Sequence, residues 1–228
     1  METRGETRAG AYVALIGDIR KSRHIAERDL LQQQLEKALG TANERFAADV
    51  AAGFVLTLGD EFQGLLLRPS TVVDVLIALD EALEGAEVRY GIGWGGLSTE
   101  LKDVALRTDG PCFHRARAAL TAGKRDDRWV TAAGFGSDDE VLNGLFWLVG
   151  AVRWQWTDIQ RQTVRMMRTA GAQRQVAQSR GVSVNAVSKA LKSALQEPVH
   201  AAERAAAEIL ARYDDRIPDA DDSKRGIT

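Results

Sequence analysis

A single cysteine, Cys112, stands among 228 residues, which excludes an internal disulfide framework and any cysteine-based zinc cluster. Long apolar runs are also lacking. The longest stretches, around Leu145–Val152 and Leu65–Leu67, fall well short of the ~18 residues a membrane span needs. The first ten residues, Met1 to Gly10, are polar and carry both charge signs, unlike a signal peptide. An overall excess of one charge is missing too, since the formal net charge is −2. Hydrophobic residues make up 45% and charged residues 27%, an ordinary globular composition that excludes a disordered, collagen-like or low-complexity chain. These absences describe a reduced, cytoplasmic protein with no membrane partner. At ~100–200 residues per domain, the length suits one large or two small domains.

Charge is balanced overall but not locally. Between Arg153 and Lys192 eight basic residues face one acidic residue, Asp158, a net +7 that leaves −9 for the remainder. A compact basic segment on an acidic protein is the electrostatic footprint of nucleic-acid binding, although a solvated helical face has the same composition.

The apolar pattern predicts a buried strand over Ala11–Ile16 and an amphipathic helix from Ile25 to Phe46. Phe54–Leu58 and Phe62–Leu67, separated by Gly59-Asp60-Glu61, read as a hairpin. Ser70 is placed to cap a helix running to Leu83, and Val88–Trp94 reads as a core strand. Helices follow at Phe113–Leu120 and Asp138–Trp154, with a strand at Trp129–Ala132 between them. A strand, helix, hairpin, helix, strand order is the split βαβ, or ferredoxin-like, plan. The expected class is α+β: a palm-like domain over residues 1–150, an all-α domain over 151–215 and a flexible tail over 216–228. Trp147, Trp154 and Trp156 are expected to fill the joint between the two domains.

Asp18 ends the first strand, and Asp60 and Glu61 sit at the hairpin tip, so the ferredoxin-like plan brings them to one sheet edge. Paired carboxylates suit a hard divalent ion such as Mg²⁺, which fills its shell with water and phosphate oxygens. Arg20, Lys21 and Arg23, leading into a helix N-terminus, suit the phosphates of a nucleotide. Solvated turn carboxylates give the same residue pattern.

The stretches YVALIGDIRKSR at 12–23 and LGDEFQGLL at 58–66 resemble the SatD family over most of the chain, with a palm-type domain of the nucleotide cyclase and GGDEF kind. The strand VRYGIGWG at 88–95 is similar to the R-x-G-I-x-x-G strand of class III cyclases, and GPCFHRAR at 110–117 resembles the helix start that follows it. The resemblance implies metal binding by Asp18 and Asp60, with Glu61 beside them, and a nucleotide contact from Arg117. The sequence departs from cyclases at His114 and Ala118, where Asn and Arg would contact the transition state, and at Leu56, where a purine-reading Lys would fall. Leu58 replaces the first Gly of the GGDEF signature, a position where substrate approaches the backbone. A binding domain is therefore expected over an efficient cyclase.

QRQVAQSRGVSVNAVSKAL at 173–191 has the register of a helix-turn-helix, with Ala177 at the helix contact and Gly181 at the turn. It resembles region-4-like domains of sigma factors. Arg165, Arg168, Arg174 and Lys192 are the expected phosphate contacts, and Asn185, Ser188 and Lys189 the base-edge readers. Pro198 is expected to break the chain before a last helix, Ala201–Tyr213, that closes the bundle or pairs with a second subunit in a homodimer. The whole reads as a regulator with a nucleotide- and Mg²⁺-binding palm and a DNA-binding helix-turn-helix. An active nucleotidyl cyclase or transferase, or a non-catalytic scaffold, is the alternative.

Overall fold

The computed structural model describes residues 10–20, 28–57, 59–83 and 86–216. Among these, five strands form one sheet in the order β2-β3-β1-β4-β5. The strands are β1 (Tyr12–Ile19), β2 (Val50–Leu56), β3 (Glu61–Leu66), β4 (Val88–Gly95) and β5 (Val130–Ala133). β1 runs antiparallel to both β3 and β4, β2 is antiparallel to β3, and β5 adds in parallel beside β4. This is the expected ferredoxin-like palm, widened by one strand.

The apolar run of β1 follows from its central place, because both faces are covered and both must be apolar. Val13, Leu15 and Ile19 pack on the side of α1 (Arg28–Arg45) and α2 (Val72–Ala82), against Leu35, Leu39, Leu76 and Leu79. Tyr12, Ala14 and Ile16 pack on the other side, against Cys112, Phe113, Ala116 and Leu120 of α3 (Pro111–Arg125). α3 lies almost on the backbone of β4. A Cβ on Gly91 would fall 2.1 Å from the Ala116 carbonyl oxygen, and one on Gly93 2.2 Å from that of Cys112. The glycines of the RYGIG stretch are therefore the contact surface between strand and helix.

The helical part comprises α4 (Asp138–Arg153), α5 (Asp158–Ala170), α6 (Gln173–Arg180), α7 (Val184–Ser193) and α8 (Gln196–Ala211). α8 touches α7 and returns to the palm. It packs along α4 and over α2. Beyond its end, Tyr213 lies edge-on to Trp94 and Phe135, each at 5.1 Å, and donates a hydrogen bond to Asp138 at 2.9 Å. Asp214 accepts from the Ser70 amide at 2.9 Å and its hydroxyl at 2.6 Å. Ser70 thus holds the C-terminal segment and does not cap α2, which begins after a 3₁₀ turn at Pro69–Thr71. Pro198 is tolerated in the first turn of α8, where its missing N–H is no loss, and the break falls instead at Leu195, in the left-handed region at φ 52°. Of the expected tail, residues 217–228 lie outside the described residues.

The joint between sheet and helices is ionic. Arg153, buried, donates to Asp80 at 2.9 Å and Glu203 at 3.2 Å. Arg168 reaches Glu203 at 2.8 Å and Glu81 at 3.5 Å. Asp80 also accepts from the Tyr90 hydroxyl and the Trp129 indole at 2.8 and 2.9 Å. Trp156 is buried and donates to the Ala194 carbonyl at 2.8 Å. Trp154 is half-buried with the Arg20 guanidinium 4.9 Å from its ring. Trp147 corrects the expectation: it is 54% exposed on α4, with Arg128 over its ring.

Gly91→Ala should lower stability by roughly 1–3 kcal/mol, the usual cost of overpacking. The check is a lower urea midpoint with an unchanged slope. An unchanged midpoint would show that α3 can back away from β4.

Candidate functional site

The β1–β3 register sets Asp18 directly opposite Glu61 at one end of the sheet. The two carboxylates leave the same face, and both side chains are largely covered, at 17% and 16% exposed. α3 crosses this face and places Arg117 and Lys124, seven residues apart on one side of the helix, over the pair. Lys124 Nζ sits 2.7 Å from Asp18 Oδ1. Arg117 grips Glu61 with both Nη groups, one of them 2.7 Å from Oε1. Thr57 adds its hydroxyl to the same Oε1 at 3.1 Å. Burial pushes the Glu61 carboxyl up, but Arg117, Thr57 and Lys124 outweigh it, and the group lies below the ordinary carboxylate range.

Asp18 and Glu61 share the sheet edge, but the donor set does not suit a metal as it stands. Each carboxylate already holds a side-chain cation. Asp60 lies in the turn, one residue out of the pair's register. Among the described residues, no three His, Cys, Asp or Glu side chains converge on a common point. The expected phosphate cations are placed differently as well. Arg20 points away from the pair, bonded to Glu87 and, at 3.0 and 2.6 Å, to Asp127. These two carboxylates occupy the guanidinium that was expected to meet a phosphate. Lys21, Arg23 and Leu58 lie outside the described residues.

Next to Arg117, α3 borders an open cleft of about 600 Å³ lined by Ile16, Gln63, Thr108, Asp109, His114 and Ala118. His114 Nε2 is 3.0 Å from Asp109 Oδ1, and Gln63 donates to the Ala105 carbonyl at 2.9 Å. Sequence reasoning missed Lys124. Its only signal was helical spacing from Arg117, and the helix was expected to end at Leu120.

Residues 173–193 form two short helices, α6 and α7, joined by a tight turn. Gly181 ends α6 in the left-handed conformation at φ 65°. The Ser183 side chain accepts from the Ala186 amide, capping α7. Val176, Ala177, Val187 and Leu191 are buried between the helices. Arg180, at a usually apolar position, donates to the hydroxyl of buried Thr163 on α5. Arg174, Asn185, Ser188, Lys189 and Lys192 are exposed. Arg165 and Arg168 are not on that surface. They line a cavity between α5 and the palm with Asp80, Glu81 and Arg153. Arg168, expected as a DNA phosphate contact, is held in the joint by Glu203 and Glu81.

Sheet, acid pair and the helices that follow them describe an α+β palm-like protein with a helical C-terminal part. The chain belongs to the SatD family, whose model matches residues 12–210. No curated protein matches the sequence. Among solved structures it is similar to the guanylyl cyclase domain of the RhoGC fusion protein from the aquatic fungus Blastocladiella emersonii, at 15% identity over 49% of this chain and 73% of that one, TM-score 0.39. A bacterial light-regulated adenylyl cyclase is similar at 9% identity over 54% and 75%, TM-score 0.40. The regulator of polyketide synthase expression from Bifidobacterium adolescentis aligns over 91% of this chain and 87% of that one, at 16% identity and TM-score 0.25. Among the described residues, no helix is long and apolar enough to cross a membrane.

A carboxyl held low in the folded state adds stability that is present above its unfolded value, about 4.3, and is lost as pH falls through the lower folded value. Glu61→Gln should therefore cost on the order of 1 kcal/mol at neutral pH, the scale of a half-exposed ion pair. The difference from wild type, measured by urea denaturation, should shrink as the solution is acidified below that unfolded value. A difference that grows on acidification would contradict the ion pair.

Proposed function

We propose that this SatD-family chain binds duplex DNA through α6 and α7, with the palm-like domain as the platform that holds them. The observation that carries this reading is the outer face of α7. Asn185, Ser188, Lys189 and Lys192 are exposed there, while Val187 and Leu191 turn inward. No acidic residue occurs between Asp158 and Glu197 to oppose a phosphate backbone. Asn185, Ser188 and Lys189 suit base edges in the major groove, and Arg174 and Lys192 suit phosphates. A homodimer would present two such helices to half-sites about 34–36 Å apart.

Only part of the +7 segment faces outward. Arg153 and Arg168 hold carboxylates, Arg161 donates to the Trp156 carbonyl and Arg180 to Thr163. Arg174, Lys189 and Lys192 remain on the exposed face. Each phosphate neutralised contributes about −0.9 to the slope of log K against log salt, so with Arg174 and Lys192 on phosphates one protomer should show a slope near −2. Lys192→Ala should flatten that slope by about one while leaving sequence preference intact. Fluorescence anisotropy on duplexes selected from a random pool measures both. A wild-type protein with no salt-dependent affinity for any duplex sinks the reading.

The cleft beside Arg117 favours a second role for the palm, as the seat of a nucleotide in a cytoplasmic regulator. Its size and its mix of Gln63, Asp109, His114 and Arg117 suit a small polar ligand. ATP or GTP should raise the melting point of the wild type, and Arg117→Ala should abolish that rise. A melting point indifferent to both nucleotides removes this role and leaves DNA binding standing.

A further inference from the structure

We propose that α3 supplies the palm's acidic edge with its own cations: Lys124 on Asp18 and Arg117 on Glu61 stand in for a bridging divalent ion, and the edge holds together without metal. Two carboxylates on neighbouring strands, opposite in register, repel one another unless positive charge lies against them. Here the charge is tethered. The ammonium of Lys124 is 2.7 Å from Asp18, and the guanidinium of Arg117 meets Glu61 with two nitrogens. Two acids and two bases sum to zero. A divalent ion entering this set would bring charge that nothing balances, and it would have to displace both side chains.

The tether is firm, because α3 cannot drift from the sheet. Its backbone meets β4 across Gly91 and Gly93, with no room for a side chain between them. Both acids are mostly covered, and both Glu61 oxygens are engaged, Oε1 by Thr57 as well as Arg117. Mg²⁺ asks for near-octahedral oxygen ligands at about 2.0–2.1 Å, so a carboxylate pair already occupied by an ammonium and a guanidinium is a poor starting point. The consequence is a latch. The hairpin tip is bound to α3 by side-chain charge, and the palm keeps its geometry at any Mg²⁺ concentration.

Manganese serves as the probe. With the full chain, Mn²⁺ titrations followed by electron paramagnetic resonance should show no saturable site in the wild type, and Mg²⁺ should not move the melting point beyond a KCl control of equal ionic strength. Arg117→Met combined with Lys124→Met uncovers the acids. That variant should show a saturable Mn²⁺ site that the wild type lacks, and adding Asp18→Asn should remove it. Should the double variant fail to fold, Lys124→Met alone carries the same test with a smaller gain. Saturable Mn²⁺ binding by the wild type that disappears in Asp18→Asn overturns the proposal. So does a folded variant lacking its cations that gains no Mn²⁺ affinity.

Discussion

Like charges on adjacent strands are a problem that this palm must solve before anything else at its edge can work. The β1–β3 register places Asp18 across from Glu61, and no rotation of either side chain separates them far. The solution is a helix carrying two cations at a two-turn spacing. It succeeds only because that helix comes unusually close. Gly91 and Gly93 let the α3 backbone rest on β4, which brings Arg117 and Lys124 within reach of acids on the far strands. Glycine in a strand weakens it through entropy and lost packing. In β4 that loss is offset by the helix it admits, whose Ala116 and Leu120 bury Ala14 and Ile16. The glycine-rich strand and the acidic edge are thus two ends of one arrangement.

A second set of charges does a different job at the other side of the sheet. Arg153 lies between Asp80 and Glu203, with its guanidinium 4.5 Å from the centre of the Trp129 ring. Burial pushes the Asp80 carboxyl up, against the pull of Arg153, Tyr90 and Trp129, so the pair is held at a cost in desolvation. Buried ion pairs of this kind are weak evidence for stability, since well-packed apolar residues often do as well. Their contribution is positional. Arg153 of α4 reaches Asp80 and Arg168 of α5 reaches Glu81, both on α2 of the palm, and Glu203 of α8 accepts from both arginines. α5 and α8, which flank α6 and α7, are thereby fixed to the palm. Tyr213 and Asp214 fasten the chain again beyond α8. The α6–α7 pair mounted this way is held to the palm on both sides, not carried on a loose linker.

The elements were legible because each carries a local signal. The both-face apolar run of β1, the hairpin at Gly59 and the caps at Gly181 and Ser183 depend on neighbours within a few residues. The meeting of Asp18 with Glu61 followed from topology alone. What the sequence did not disclose was the partner of each charge. Arg20, Arg165 and Arg168 have the composition of a phosphate-binding set, but composition does not say which way a helix faces. α5 turns its Arg165 and Arg168 toward Glu81 of the palm, a residue some eighty positions earlier. Lys124 was overlooked for a related reason, since it lies past the point where the apolar pattern of α3 fades. Long-range ion pairs leave no periodic trace.

Arg117 belongs to both features of the palm edge, and this ties them together. It is the more exposed member of its pair, at 47% against 16% for Glu61, and it also borders the cleft. An anionic ligand in that cleft would compete with Glu61 for one guanidinium. Glu61 would then keep only Thr57 and the more distant Lys124. The carboxylate pair would lose half its neutralising charge at the moment the ligand arrived. Ligand affinity and the hold of α3 on the hairpin are therefore opposed terms of one equilibrium.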